Sequence, residues 1–188
     1  MGDARELEPH RPYERPPLSK RYLRDEVGLE RVYLQDERYY TKSEIELIRG
    51  MTVTALDIDA RTIKVEDGRA LKYGKLLLAT GGRARRLPLP GAELPNVFVL
   101  RTIKDSQAIR QAAGDAKRAL IMGGSFIGAE VSASLSQMGV QVTQIFPESR
   151  LLERIVPPEL SQHLDGMYEE HGVRVLPGVV SDKLEGDG

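Results

Sequence analysis

Ala119-Leu120-Ile121-Met122, then Gly123-Gly124-Ser125-Phe126-Ile127-Gly128, then Ala129-Glu130-Val131 follow one another in this chain, and their reading decides its fold. Four apolar residues, a tight glycine turn and the start of a helical pattern make strand, turn and helix. Gly123 permits the turn, and Gly128 lets the helix lie close against the strand. Such a turn aims backbone N–H groups and the positive end of a helix at one point, which suits a dinucleotide diphosphate. A second apolar strand follows at 140–146, and Glu148 lies 20 residues beyond Gly128. That is about where a Rossmann unit places the carboxylate that takes the adenosine ribose hydroxyls.

Two features depart from the usual pattern. Ser125 stands at the third motif position in place of glycine, and its Cβ should push a diphosphate slightly outward. Phe146 ends the second strand, where the ribose acid commonly stands, so Glu148 beyond Pro147 is the substitute. A carboxylate there repels a 2′-phosphate and favours NADH over NADPH. Arg150 and Arg154 lie close by and could receive such a phosphate, and a solvated loop acid is the plain alternative for Glu148.

Working outward, the pattern predicts a helix over 158–170, with Pro158 in its first turn and Gly172 just past its end. His171 precedes that glycine, where a partial positive charge suits the helix dipole. Val173 to Leu176 reads as a third parallel strand, Val179 to Leu184 as the opening strand of a hairpin, and Gly186-Asp187-Gly188 as its turn. Upstream, 51–57 and 61–66 alternate apolar and polar residues as a half-exposed hairpin does. The run 72–80 contains the continuously apolar Leu76-Leu77-Leu78-Ala79, expected to be a buried central strand, and ends in Thr80-Gly81-Gly82. A short strand over 96–100 and a helix over 104–113, stopped by Gly114, are expected next. Pro9, Pro12, Pro16 and Pro17 punctuate the start, and Arg11 to Lys20 reads as an extended, polyproline-like stretch.

The 188 residues carry 27 Lys and Arg against 28 Asp and Glu, a net charge of −1, so no strong field favours nucleic acid or an anionic membrane. No apolar run approaches a membrane span and the charged start is no secretory signal, which makes a cytoplasmic protein the expectation. There is no cysteine, which excludes a disulfide, a Cys-based metal site and a thiol relay of electrons. His10, His163 and His171 have no metal-binding spacing, so no metal site is expected.

Three blocks together carry a family resemblance: Arg15-Pro16-Pro17-Leu18-Ser19-Lys20; Leu76 to Gly82 with Arg85; and Gly123 to Glu130 followed by Phe146-Pro147-Glu148. In order and approximate spacing the chain resembles the two-dinucleotide-fold flavoprotein reductases. The nearest branch contains apoptosis-inducing factor, monodehydroascorbate reductase and the ferredoxin reductases of oxygenase systems. The resemblance implies an α/β chain with a partial FAD-binding domain over 1–115 and a partial Rossmann-type NAD-binding domain over 116–188, with a parallel sheet, helices and β-hairpin elements. It implies that Arg15 and Lys20 line FAD, with Lys20 near the reactive ring, and that Thr80, Gly81 and Arg85 approach the FAD diphosphate. Gly123, Gly124, Ser125, Phe126, Ile127, Gly128 and Glu148 would hold NADH. Glu130 would pair with Lys20 beside the reacting rings, so Lys20 and Glu130 are the catalytic candidates. A fixed ammonium stabilises negative charge on a reduced ring, and a paired carboxylate holds it in place. By physics alone Glu130 suits the helix dipole without any partner, and Lys20 could be solvated.

The implied activity is hydride transfer from NADH to FAD, then electrons to a ferredoxin or a small acceptor. The alternative is a non-catalytic redox-sensing module of the apoptosis-inducing-factor type. Relatives open with a glycine motif of their own for FAD, whereas no glycine occurs here between Gly2 and Gly28. The chain therefore reads as the middle of a larger enzyme, with Asp3 as a remnant of the FAD ribose acid and weak FAD binding expected of this polypeptide alone.

Overall fold

The computed structural model describes residues 8–186, so Asp3, Asp187 and Gly188 lie outside the described residues. The backbone divides into two units, one taking in the chain up to Tyr13 with Tyr33–Gly82, the other Glu14–Val32 with everything from Arg83 onward.

In the first unit a bridge joins Tyr13 and Tyr33, and the Arg11 guanidinium sits 3.8 Å above the Tyr33 ring. Helix α1 (Glu37–Lys42) starts at Asp36, whose carboxylate accepts the Tyr39 N–H at 2.8 Å. Strands β1 (Val53–Asp57), β2 (Thr62–Val65) and β3 (Ala70–Lys72) form an antiparallel meander. The alternating runs thus pair as expected. The apolar run that follows does not make a strand: Leu77 and Leu78 are 87% and 65% exposed. A buried strand needs ladder partners on its edges, and among the described residues none is paired with this segment.

The second unit is a β–α–β–α–β arrangement. Strands β4 (Arg118–Met122), β5 (Gln141–Phe146) and β6 (Val173–Pro177) lie parallel in that order, joined through helices α3 (Phe126–Gln137) and α4 (Pro158–Glu170). Its core comes from Ala129, Val131 and Leu135 on α3, Val142 and Phe146 on β5, and Val173 and Val175 on β6. The α/β reading and the parallel sheet hold. Helix α4 ends as expected: Gly172 has φ +80° and the His171 ring Nδ1 lies 2.7 Å from the Met167 carbonyl oxygen.

Four local expectations are corrected. Helix α2 (Ile103–Asp115) runs through Gly114, since a glycine costs a helix only about 1 kcal/mol and Thr102 anchors the start with a full capping box to Asp105. Residues 96–100 form no strand. Val179 donates to Phe146 and Leu184 to Pro90, so 179–184 is held by single bonds to separate segments and builds no ladder. Pro16–Ser19 closes a 3-10 turn where an extended stretch was expected, because Leu18 and Ser19 are buried and an extended backbone would not tuck both inside. Among the described residues no helix is long and apolar enough to cross a membrane, and no cluster of three His, Asp or Glu could hold a metal.

Candidate functional site

The site grows from the turn between β4 and α3. Gly123 has φ +135°, a backbone conformation that side chains avoid, and its N–H donates to the Ile145 carbonyl at 2.9 Å. A Cβ on Gly124 would come within 2.6 Å of the Phe146 ring, and one on Gly128 would collide with the Gly123 carbonyl oxygen. Both glycines are therefore demanded by close packing. The Gly124 carbonyl accepts from the Leu152 N–H at 2.8 Å, which ties the turn to the loop after β5.

Helix α3 then opens without a side-chain cap: Ser125 is its N-cap residue, extended at φ −102°, ψ −177°, and its hydroxyl takes no cap bond. Ser125, Phe126 and Ile127 are exposed. An uncapped first turn leaves backbone N–H groups facing outward beside the positive end of the helix. A diphosphate fits that donor set, and the serine needs no left-handed backbone to stand at the third position. Glu148 follows β5, with its Oε1 3.4 Å from a guanidinium nitrogen of Arg154, whose side chain is 85% exposed. Arg150 turns to Glu153 at 3.7 Å. The Ser149 N–H beside Glu153 holds that carboxyl below the usual range, helped by its hydroxyl and the two arginines.

Two residues past Gly128, Glu130 leaves α3 toward the segment after the Pro16–Ser19 turn. Its Oε1 lies 2.6 Å from the Lys20 Nζ, and its Oε2 accepts from the Ser19 hydroxyl at 2.5 Å. The Ser19–Lys20 backbone is stapled from both sides. Ser134 of α3 donates to the Ser19 carbonyl at 2.6 Å, and Ser106 of α2 donates to the Leu18 carbonyl at 2.7 Å. Lys20 keeps 42% of its side chain exposed and Glu130 27%. An ion pair so open contributes about 1 kcal/mol or less to stability, so its consequence is placement. Tyr168 of α4 donates to the Ala129 carbonyl at 2.9 Å, and burial, together with the charge of Glu130, raises its phenol above the ordinary value.

The structure thus brings Lys20 and Glu130 together and sets the glycine turn, Phe146 and Glu148 at the same end of the sheet. Arg15 donates to the Arg101 carbonyl oxygen in the same unit and Arg85 is exposed there. Thr80 and Gly81 are exposed in the first unit, Gly81 with φ +67°. Sequence reasoning passed over Ser19, Ser106 and Ser134, which place the lysine, and Gln144, fully buried under the turn. A polar residue alternating with Val142 and Phe146 on the core side of β5 was the available signal for Gln144.

Residues 3–188 match the pyridine nucleotide-disulphide oxidoreductase family. The chain is 37% identical over 99% of its length to the probable ferredoxin reductase CtmF of Castellaniella defragrans, and 36% identical over 95% to putidaredoxin reductase CamA of Pseudomonas putida. It superposes with a TM-score of 0.90 and 35% identity, over 96% of its length, on the ferredoxin reductase for the CYP199A2 system from Rhodopseudomonas palustris. It spans 44%, 42% and 45% of those three chains, less than half of each.

Proposed function

The chain belongs to the pyridine nucleotide-disulphide oxidoreductase family, and from that premise we propose that it is the nicotinamide-binding and lysine-positioning part of an NADH-dependent, FAD-containing reductase that feeds a ferredoxin-type acceptor. One observation carries the reading: the helix that opens uncapped at the glycine turn also bears Glu130, which grips Lys20 at 2.6 Å. A diphosphate site on one rigid helix, with an ammonium fixed by a carboxylate of that same helix, suits hydride transfer between two bound cofactors. The nearby relatives' names, ferredoxin reductase and putidaredoxin reductase, support the acceptor class.

Each residue has a derived task. The first-turn N–H groups of α3 bind the diphosphate, and Gly124 and Gly128 keep the turn tight enough to present them. Glu148 accepts the adenosine ribose hydroxyls. The carboxylate would repel a 2′-phosphate, which supports NADH over NADPH, while the Arg154 guanidinium beside it weighs the other way. Ser19 fixes the Glu130 carboxylate, and that carboxylate holds the Lys20 ammonium, which spends one donor on it and keeps part of its surface exposed. FAD, when bound, accepts a hydride and releases electrons singly or in pairs. Arg15, Lys20, Thr80, Gly81 and Arg85 would hold it, within a FAD part at 1–115 and an NAD part at 116–188. Cytoplasmic residence belongs to the same reading.

Calorimetry with NADH and NADPH tests it. NADH is expected to bind more tightly than NADPH, and Glu148→Ala to weaken NADH about tenfold while narrowing the gap to NADPH. Equal affinities in the parent chain, or an NADH affinity unmoved by Glu148→Ala, would count against the reading.

A further inference from the structure

Gln144 is completely buried on β5, an uncommon place for an amide side chain. Its Nε2 donates to the Gly123 carbonyl oxygen at 2.8 Å, while its Oε1 is buried with no hydrogen-bond partner among the described residues. An unpaired acceptor in the core opposes folding, so the residue is not explained by packing alone. The same Gly123 oxygen is what a Cβ on Gly128 would strike, and Gln144 Nε2 lies 3.2 Å from that Cβ position. Strand, turn and helix therefore meet on one carbonyl.

In a trans peptide the C=O of one residue and the N–H of the next point in opposite directions. With the Gly123 C=O drawn inward to Gln144, the Gly124 N–H is directed outward, toward the open start of α3. A flipped peptide would exchange them and place a carbonyl oxygen where an anion must sit. Gly123 and Gly124 are the residue types that flip most easily, since neither carries a Cβ.

We propose that Gln144 is a positioning residue for the cofactor diphosphate: it locks the Gly123–Gly124 peptide so that the Gly124 N–H faces the ligand. This rests on the nicotinamide reading above. Gln144 touches no ligand in this role and acts through Gly123.

The test uses Gln144→Leu and Gln144→Met, which keep the bulk and remove the donor. Two readouts are needed: the 15N–1H resonance of Gly124 in the ligand-free protein, and NADH affinity by calorimetry, with thermal melting as the fold control. The expected result is a shifted or split Gly124 resonance and an NADH affinity about tenfold lower, with a melting temperature no lower than the parent's. A Gly124 resonance and NADH affinity both unchanged in either folded variant would overturn the proposal. So would an affinity loss that tracks a lowered melting temperature with the resonance unmoved. If the parent chain itself binds no NADH, the nicotinamide reading fails, and the Gly124 resonance still decides whether Gln144 sets the peptide.

Discussion

At the scale of single residues, the Lys20–Glu130 contact joins positions 110 apart in sequence, and its surroundings say how it is kept. Ser19 and Lys20 both reach Glu130, and Tyr168 closes the other side of the helix start through Ala129. Tyr168 offers a clean reporter of the Glu130 charge. Its phenol is raised above 10.0 first by burial and then by that carboxylate. A group bound more tightly to its proton when folded stabilises the fold below its unfolded value, and that contribution is lost as pH rises through the folded value. Glu130→Gln should therefore lower the Tyr168 titration part of the way, leaving the burial component, as read by phenolate absorbance. A titration identical in both proteins would show that Glu130 does not sense Tyr168.

At the scale of elements, the sequence was most legible where one local rule and the tertiary fold agree. Gly123 to Gly128, β5 and α4 have strong periodicity and matching stop signals, and the structure forms each of them close to the expected ends. Leu76 to Ala79 shows the opposite case. An apolar run says only that burial is wanted, and the partners that make it a strand are not written in the run itself. Gly114 misled for another reason: a glycine is a weak stop when the helix beyond it is held by its cap and its packing. Of the site, the turn, Lys20, Glu130 and Glu148 were readable from motif spacing and resemblance. The serines that staple Ser19 and Lys20 were not, because each is a lone small polar residue whose partner lies more than 80 positions away. The cap of α2 matters here, since that helix carries Ser106. Thr102→Ala removes the bond to the Asp105 N–H and should cost about 1 kcal/mol, visible as a lower melting temperature. An unchanged melting temperature would mean that α2 is fixed by packing alone.

At the scale of the whole molecule, the two units differ in what they bring. The second contains the glycine turn with its uncapped helix start and the lysine pair on one framework. The residues assigned to the FAD diphosphate, Thr80, Gly81 and Arg85, are exposed on irregular backbone, with no helix start among their own segments. Purified alone, the 188-residue chain should therefore carry little flavin, and its visible spectrum should lack the absorption bands of a bound flavin. Stoichiometric flavin in that spectrum would contradict this expectation.

The central claim is that a nicotinamide dinucleotide docks its diphosphate on the start of α3 and its ribose on Glu148. The most direct measurement is an NADH titration followed by amide NMR of the 188-residue chain. The account predicts the largest shifts at Gly124, Phe126, Ile127 and Gly128, with a second group around Glu148. Shifts centred elsewhere in the chain, with these amides unmoved at saturating NADH, would contradict it.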